Sequence, residues 1–164
     1  MTEAPNPTEN RRKVAELIKG VRIAMLTTID EAGRLVSRPM TTQDVEFDGS
    51  IWFIAQRDSD LARQIEAGRV EANVAYAGSS SWVSVSGKAR VVNDPVKLRD
   101  EWNRFTDAFF ESGPDDPNNV LILVEGESAE YWDSPGGKVT QLAQLAKSLI
   151  TKEPVEGENK VMDL

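Results

Sequence analysis

The sequence predicts a mainly β domain with flanking helices, in which about six antiparallel strands curl into a closed or partly closed barrel. Three observations predict it. Short runs of β-branched and apolar residues recur along the chain, separated by turn signals such as Asp30-Glu31-Ala32-Gly33 and Asp48-Gly49. Strands joined by such tight turns pair antiparallel. No alternation of strands and helices of the Rossmann kind is present, nor any G-x-G-x-x-G, and a barrel protects the edges of many short strands.

Taken in order, residues 1–7 read as a disordered lead. Thr8 is placed to cap a short helix running to Lys19, with Val14, Leu17 and Ile18 on one face and Gly20 just past its end. "VRIAMLTTID" is a first strand and "RLVSRPMTTQDVEF" a second. Asp48-Gly49 is the strongest hairpin signal in the chain, and "SIWFIAQ" follows it as a third strand. "DSDLARQIEAG" reads as a helix with Asp58 or Ser59 as N-cap and Gly68 as its stop. "RVEANVAYA" and "SWVSVSGKARVV" are strands around the loop "GSSS", with Gly87 at a bulge. Asp94-Pro95 opens a longer helix whose apolar stripe is Val96, Leu98, Trp102, Phe105 and Phe109. "ESGPDDPNN" is a loop, and "VLILVEGESAEYWD" is a long, buried strand. "KVTQLAQLAKSLI" has helical spacing. The reading is therefore one domain over residues 8–150 and a polar tail over 151–164.

Composition restricts the chemistry. A domain of 164 residues buries roughly 70% of its unfolded surface. The net charge of −8 argues against nucleic acid as a partner. The chain has no cysteine and no histidine. Thiolate nucleophiles, Ser-His constellations, His-ligated metals and the usual general base are therefore excluded. Difficult chemistry would have to sit on a bound cofactor. No apolar run reaches the roughly 18 residues of a membrane span, so the expectation is a cytoplasmic protein with no membrane or metal partner.

Four segments can carry a site. In Arg38-Pro39-Met40-Thr41, proline interrupts the ladder and leaves backbone groups free for a ligand, while Arg38 is a fixed cation; the alternative is an edge strand with a solvated arginine. In "FIAQRDSDLARQI", a strand runs into a helix start where Ser59 and free amides can meet a phosphate, with Arg57 or Arg63 nearby; the alternative is an ordinary N-cap. Trp82, Ser84 and Ser86 share one strand face, which either lines a planar ligand or meets solvent. Trp132 and Trp102 are core residues or interface anchors. Carboxylates are plentiful, but no spacing singles out an acid–base pair.

The segments "GRLVSRPM", "DGSIWFIAQRDS", "SWVSVSGKARVVND", "EWNRF" and "AEYWD" together resemble the FMN-binding split barrels related to pyridoxamine 5′-phosphate oxidase, in the general stress protein 26-like branch. The resemblance spans about residues 10–133. It implies a six-stranded antiparallel split β-barrel that dimerises, with flavin at the subunit interface. It implies that Arg38, Pro39, Met40 and Thr41 lie along the ring, and that Phe53, Ile54 and Ala55 approach the ring and ribityl chain. It places Ser59 at the phosphate, Trp82 and Ser84 on the other side of the ring, and Trp132 toward the partner's site. FMN is the implied cofactor, with FAD and the deazaflavin F420 as less favoured alternatives. The implied activity is stress-linked, flavin-dependent redox chemistry, or flavin binding without turnover. The chain departs from the pattern at Leu61, where relatives carry a phosphate-pairing lysine. It also lacks the arginine- and histidine-bearing motif of true pyridoxamine phosphate oxidases, so vitamin B6 oxidation is not expected.

Overall fold

A computed structural model describes residues 6–43, 46–134 and 157–164. Its elements in chain order are α1 (Pro7–Ile18), β1 (Ile23–Ile29), β2 (Leu35–Thr41), β3 (Ser50–Gln56), α2 (Asp60–Glu66), β4 (Glu71–Ala77), β5 (Ser81–Val92), α3 (Pro95–Glu101), α4 (Arg104–Asp107), β6 (Asn119–Asp133) and β7 (Glu158–Asp163). Every ladder is antiparallel, and the sheet runs β2-β1-β4-β5-β6-β3 with β7 added on β6. The two end strands, β2 and β3, come close to each other without sharing a ladder. The sheet is thus a barrel split along one seam, as expected.

The barrel interior is built by period-two alternation. Ala24, Leu26, Phe53, Val74, Val83, Val85, Ile122 and Val124 point inward and are buried. Helix α1 contributes Val14 to this core, and α2 contributes Leu61, Ala62 and Ile65. Outside β3 and β6, a smaller cluster of Ile54, Leu98 and Leu121 packs with Trp52, Trp102 and Phe110 beneath α3. Strand β6 bends between two partners. Its first half pairs with β3, its second half pairs with β7, and β5 runs along its other edge. The β5 register shifts at Ser86/Gly87, as the bulge reading expects. A Cβ at Gly87 would lie 2.0 Å from the Glu125 carbonyl oxygen, so only glycine fits there.

Several expectations are corrected. The first helix begins at Pro7, because Asn6 is the N-cap and accepts from the Thr8 amide. Of the two N-cap candidates for α2, Ser59 is the cap. Asp48-Gly49 forms a turn, with Gly49 at φ 107°, but it does not join a β2–β3 hairpin. The reason is that β2 ends at Thr41, while the Gly49 carbonyl accepts from the Gly126 amide and seats β3 on β6. The single helix expected after Pro95 is two: α3 ends at Glu101, and Asn103 caps α4 through the Phe105 and Thr106 amides. Val96, Phe105 and Phe109 are consequently exposed rather than parts of one buried stripe. Part of the expected polar tail, Glu158–Asp163, is a strand that covers the edge of β6, with Met162 in the core. The expected helix after Gly137 lies outside the described residues.

Candidate functional site

The seam between β2 and β3 is where backbone is left without a ladder partner, because each strand is an end of the sheet path. The proline does not create this opening, as the sequence reading expected. The β1–β2 ladder runs unbroken through Pro39, which pairs with Met25, up to Thr41. Proline is accommodated because β2 is an edge strand.

Beside the seam lies an apolar cleft of about 310 Å³, lined by Ile23, Pro39, Met40, Thr41, Gln43, Ile54, Thr106, Phe109 and Phe110. Its size is at the small end of ligand pockets, about 300–1,000 Å³. Gln43 also lines a neighbouring cleft of about 370 Å³ bounded by Ile18, Phe47, Trp52 and Tyr76. Four of the expected site residues thus come together: Pro39, Met40, Thr41 and Ile54.

Arg38 lies two residues from Met40 on the same pleat face, roughly 7 Å along the strand. It is partly buried, and its guanidinium donates to Thr28 Oγ1 at 2.8 Å. It is therefore neither solvated nor at the cleft wall. Burial pushes its pKa down, and the charge of Asp60 opposes that shift. It remains a cation, as arginine does at any physiological pH. Among the described residues it forms no salt bridge. A partly desolvated cation without a counter-ion is suited to an anionic ligand group.

The start of α2 has little capacity to spare. The Ser59 hydroxyl donates to the Gln56 carbonyl at 2.6 Å and accepts from the Ala62 amide at 3.2 Å. Arg63 pairs with Asp60 at 2.6 Å and Arg57 with Glu66 at 3.5 Å. Leu61 is only 5% exposed and belongs to the barrel core. The position where the resemblance implies a lysine here points into the core, so Leu61 serves packing.

The remaining expected residues lie elsewhere. Phe53 and Ala55 face the barrel interior, where Phe53 is fully buried. Trp82 and Trp132 pair directly across β5 and β6 on the outer face and are 46% and 40% exposed. Ser84 shares that face and accepts from Asn73 Nδ2 at 2.7 Å. Within one chain, β1 and β4 lie between β5 and β2, and Trp132 lies on β6 beyond the stretch, Asn119–Glu125, that pairs with β3.

Sequence reasoning missed the wall of the cleft made by α4 and the turn after it: Thr106, Phe109 and Phe110. The signal was Asn103, a capping residue in the middle of what reads as one helical stripe. Thr106 is 2% exposed, and its hydroxyl has no hydrogen-bond partner. A cleft with a largely apolar wall, an unpaired hydroxyl buried in that wall and a cation without a salt bridge nearby has the chemistry to take a planar, anionic cofactor. Among the described residues, no cluster of three or more potential metal ligands occurs, and no helix is long and apolar enough to cross a membrane.

A family model described as pyridoxamine 5′-phosphate oxidase like matches residues 9–156. Protein bli-3 of Neurospora crassa is 29% identical over 145 residues, covering 81% of this chain and 69% of that one. A structure from Jannaschia sp. CCS1, described provisionally as general stress protein 26, superposes with a TM-score of 0.78 at 27% identity and covers 96% of this chain and 99% of that chain. The general stress FMN/FAD binding protein of the phytopathogen Xanthomonas citri gives a TM-score of 0.65 at 28% identity, covering 79% and 92%. The chain belongs to the pyridoxamine 5′-phosphate oxidase-like family, in the general stress protein 26 branch.

Proposed function

We propose that this chain binds FMN along the β2–β3 seam and acts as a stress-related, flavin-dependent oxidoreductase. The observation that carries the reading is the apolar cleft formed by Pro39, Met40, Thr41 and Ile54, with the Arg38 guanidinium, which holds Thr28 and forms no salt bridge among the described residues, a short step along β2. The cleft residues would hold the flavin ring, and free backbone groups along the seam would bond its edge. Arg38 would bind the phosphate rather than the ring, in place of the lysine that Leu61 replaces. The flavin supplies the electron transfer, which suits a chain without histidine or cysteine.

One cation suits one phosphate. FAD and F420 are less favoured, and the long anionic tail of F420 asks for more lysines than an acidic chain displays. Vitamin B6 oxidation is not proposed, because the histidine-bearing motif of that activity is missing after Glu130-Tyr131-Trp132-Asp133.

The same reading includes a homodimer. Ile23, Met25, Leu35, Trp82, Trp132 and Val161 are large exposed apolar residues on the outer face of one sheet. A face that carries six such side chains is one that a second copy can cover. Ile23 belongs both to this face and to the cleft, so a second copy seated there would help to close the cleft. Trp82, Ser84 and Trp132 would then serve the partner's site.

The test is the visible spectrum of protein purified without added cofactor, with mass spectrometry of whatever denaturation releases. A flavin spectrum and released FMN support the reading. A colourless protein that leaves added FMN unquenched contradicts it. Sustained NADH or NADPH consumption then separates an oxidoreductase from a flavin-binding module without turnover.

A further inference from the structure

The α4 wall of the cleft carries one polar group that no other described residue uses. Thr106 lines the cleft, is 2% exposed, and has a hydroxyl without a hydrogen-bond partner. Burying a hydroxyl unpaired is costly, and folded proteins avoid it unless a ligand or water completes the bond. Asn103 spends its side-chain carbonyl oxygen on the Phe105 and Thr106 amides, and Ile23, Pro39, Ile54, Phe109 and Phe110 offer no side-chain acceptor. Thr41 and Gln43 also line the cleft, but neither pairs with the Thr106 hydroxyl. A threonine side chain in a helix takes either of two χ1 rotamers, so the hydroxyl can turn without moving the backbone.

We infer that the Thr106 hydroxyl donates a hydrogen bond to an acceptor on the edge of the planar ring bound in this cleft. The inference rests on the flavin reading above and deepens it: recognition of the ring comes from α4 as well as from β2. It also gives a reason for the broken helix. With α3 ending at Glu101, α4 restarts at its own cap, and that cap puts Thr106 in the first turn, facing the seam.

Thr106→Val keeps the shape and removes the hydroxyl, and Thr106→Ser keeps the hydroxyl. FMN and riboflavin are titrated by fluorescence into full-length apoprotein, and the bound spectrum and the melting temperature of each apoprotein are recorded. Thr106→Val is expected to weaken both ligands about three- to tenfold, the net worth of one neutral hydrogen bond. Its bound visible spectrum should shift, and its apoprotein should melt at the wild-type temperature or above, because an unpaired buried polar group has gone. Thr106→Ser should restore affinity to within about twofold of wild type. Unchanged affinity and spectrum in Thr106→Val would overturn the inference while leaving the flavin reading intact. So would a lowered apoprotein melting temperature with unchanged binding, which marks a purely structural hydroxyl. Wild-type protein that binds neither ligand overturns both.

Discussion

The two ends of the proposed flavin site contrast in what they have left to give. At the seam, the cleft walls are apolar and Thr106 holds a hydroxyl that is not used. At the start of α2, nearly every polar group is already committed. Ser59 closes the cap, Asp60 holds Arg63, Glu66 holds Arg57, and Leu61 fills the core. Arg38, on β2, feels the charge of Asp60 but forms no salt bridge among the described residues. On the proposed flavin reading, phosphate recognition would fall to Arg38 on β2, while α2 serves the core. Ring recognition would be spread over the cleft walls.

The largest expected effect tests whether α2 serves the core or the ligand. Leu61→Ala should cost about 2–5 kcal/mol of folding stability, as buried leucine truncations do, measured by urea unfolding. Flavin affinity of the folded variant should stay within about twofold. A large loss of affinity at unchanged stability would break the contrast.

Next comes Arg38→Met. Losing one charge-assisted bond of about 1.5–3 kcal/mol should weaken FMN roughly ten- to hundredfold, yet riboflavin, which lacks the phosphate, much less. Parallel titrations of the two ligands read the difference. Equal losses would mean that Arg38 acts on the ring or on the fold through Thr28.

Asp60→Asn is a milder and opposite change. It removes a negative charge near Arg38 and releases Arg63 from an exposed pair worth about 0–1 kcal/mol. FMN affinity should rise roughly two- to fivefold, with riboflavin unchanged. A fall in FMN affinity would show that Asp60 holds Arg38 in place.

The smallest effect on the site is expected from Asp30, in the β1–β2 turn at the far end of β2. Its carboxylate accepts from the Arg34 and Ala32 amides and from the Arg34 guanidinium, chiefly the Arg34 amide, and these hold its pKa below the usual aspartate range. A depressed folded pKa means that this stabilisation is complete above the unfolded aspartate pKa. It is lost as pH falls through the folded value. Asp30→Asn should therefore lower the melting temperature at neutral pH, with the gap to wild type closing on acidification and FMN affinity unchanged. A gap independent of pH would contradict the assignment.

The strands were legible because their alternation is strict. β3 and β5 were readable to the residue, and the Gly87 bulge declared itself inside an otherwise regular pattern. Partnership was less legible. Asp48-Gly49 marks a turn, but a dipeptide carries no information on which strand the next one joins, and here the Gly49–Gly126 hydrogen bond decides that. Strand β7 was missed because Glu158–Asp163 has one buried apolar residue, Met162, and owes its place to the open edge of β6. At the site, Arg38, Pro39, Met40, Thr41 and Ile54 were named from sequence. The contribution of α4 was hidden because the stripe from Val96 to Phe109 fits one helix as well as two, unless Asn103 is read as a cap.

The most direct measurement is a crystal structure of the protein with FMN. The account predicts the ring in the cleft between Pro39–Thr41 and Ile54, with Thr106 at its edge and the phosphate on Arg38. A ring bound away from the β2–β3 seam, or a phosphate held by Arg57 or Arg63 with Arg38 still on Thr28, would contradict it.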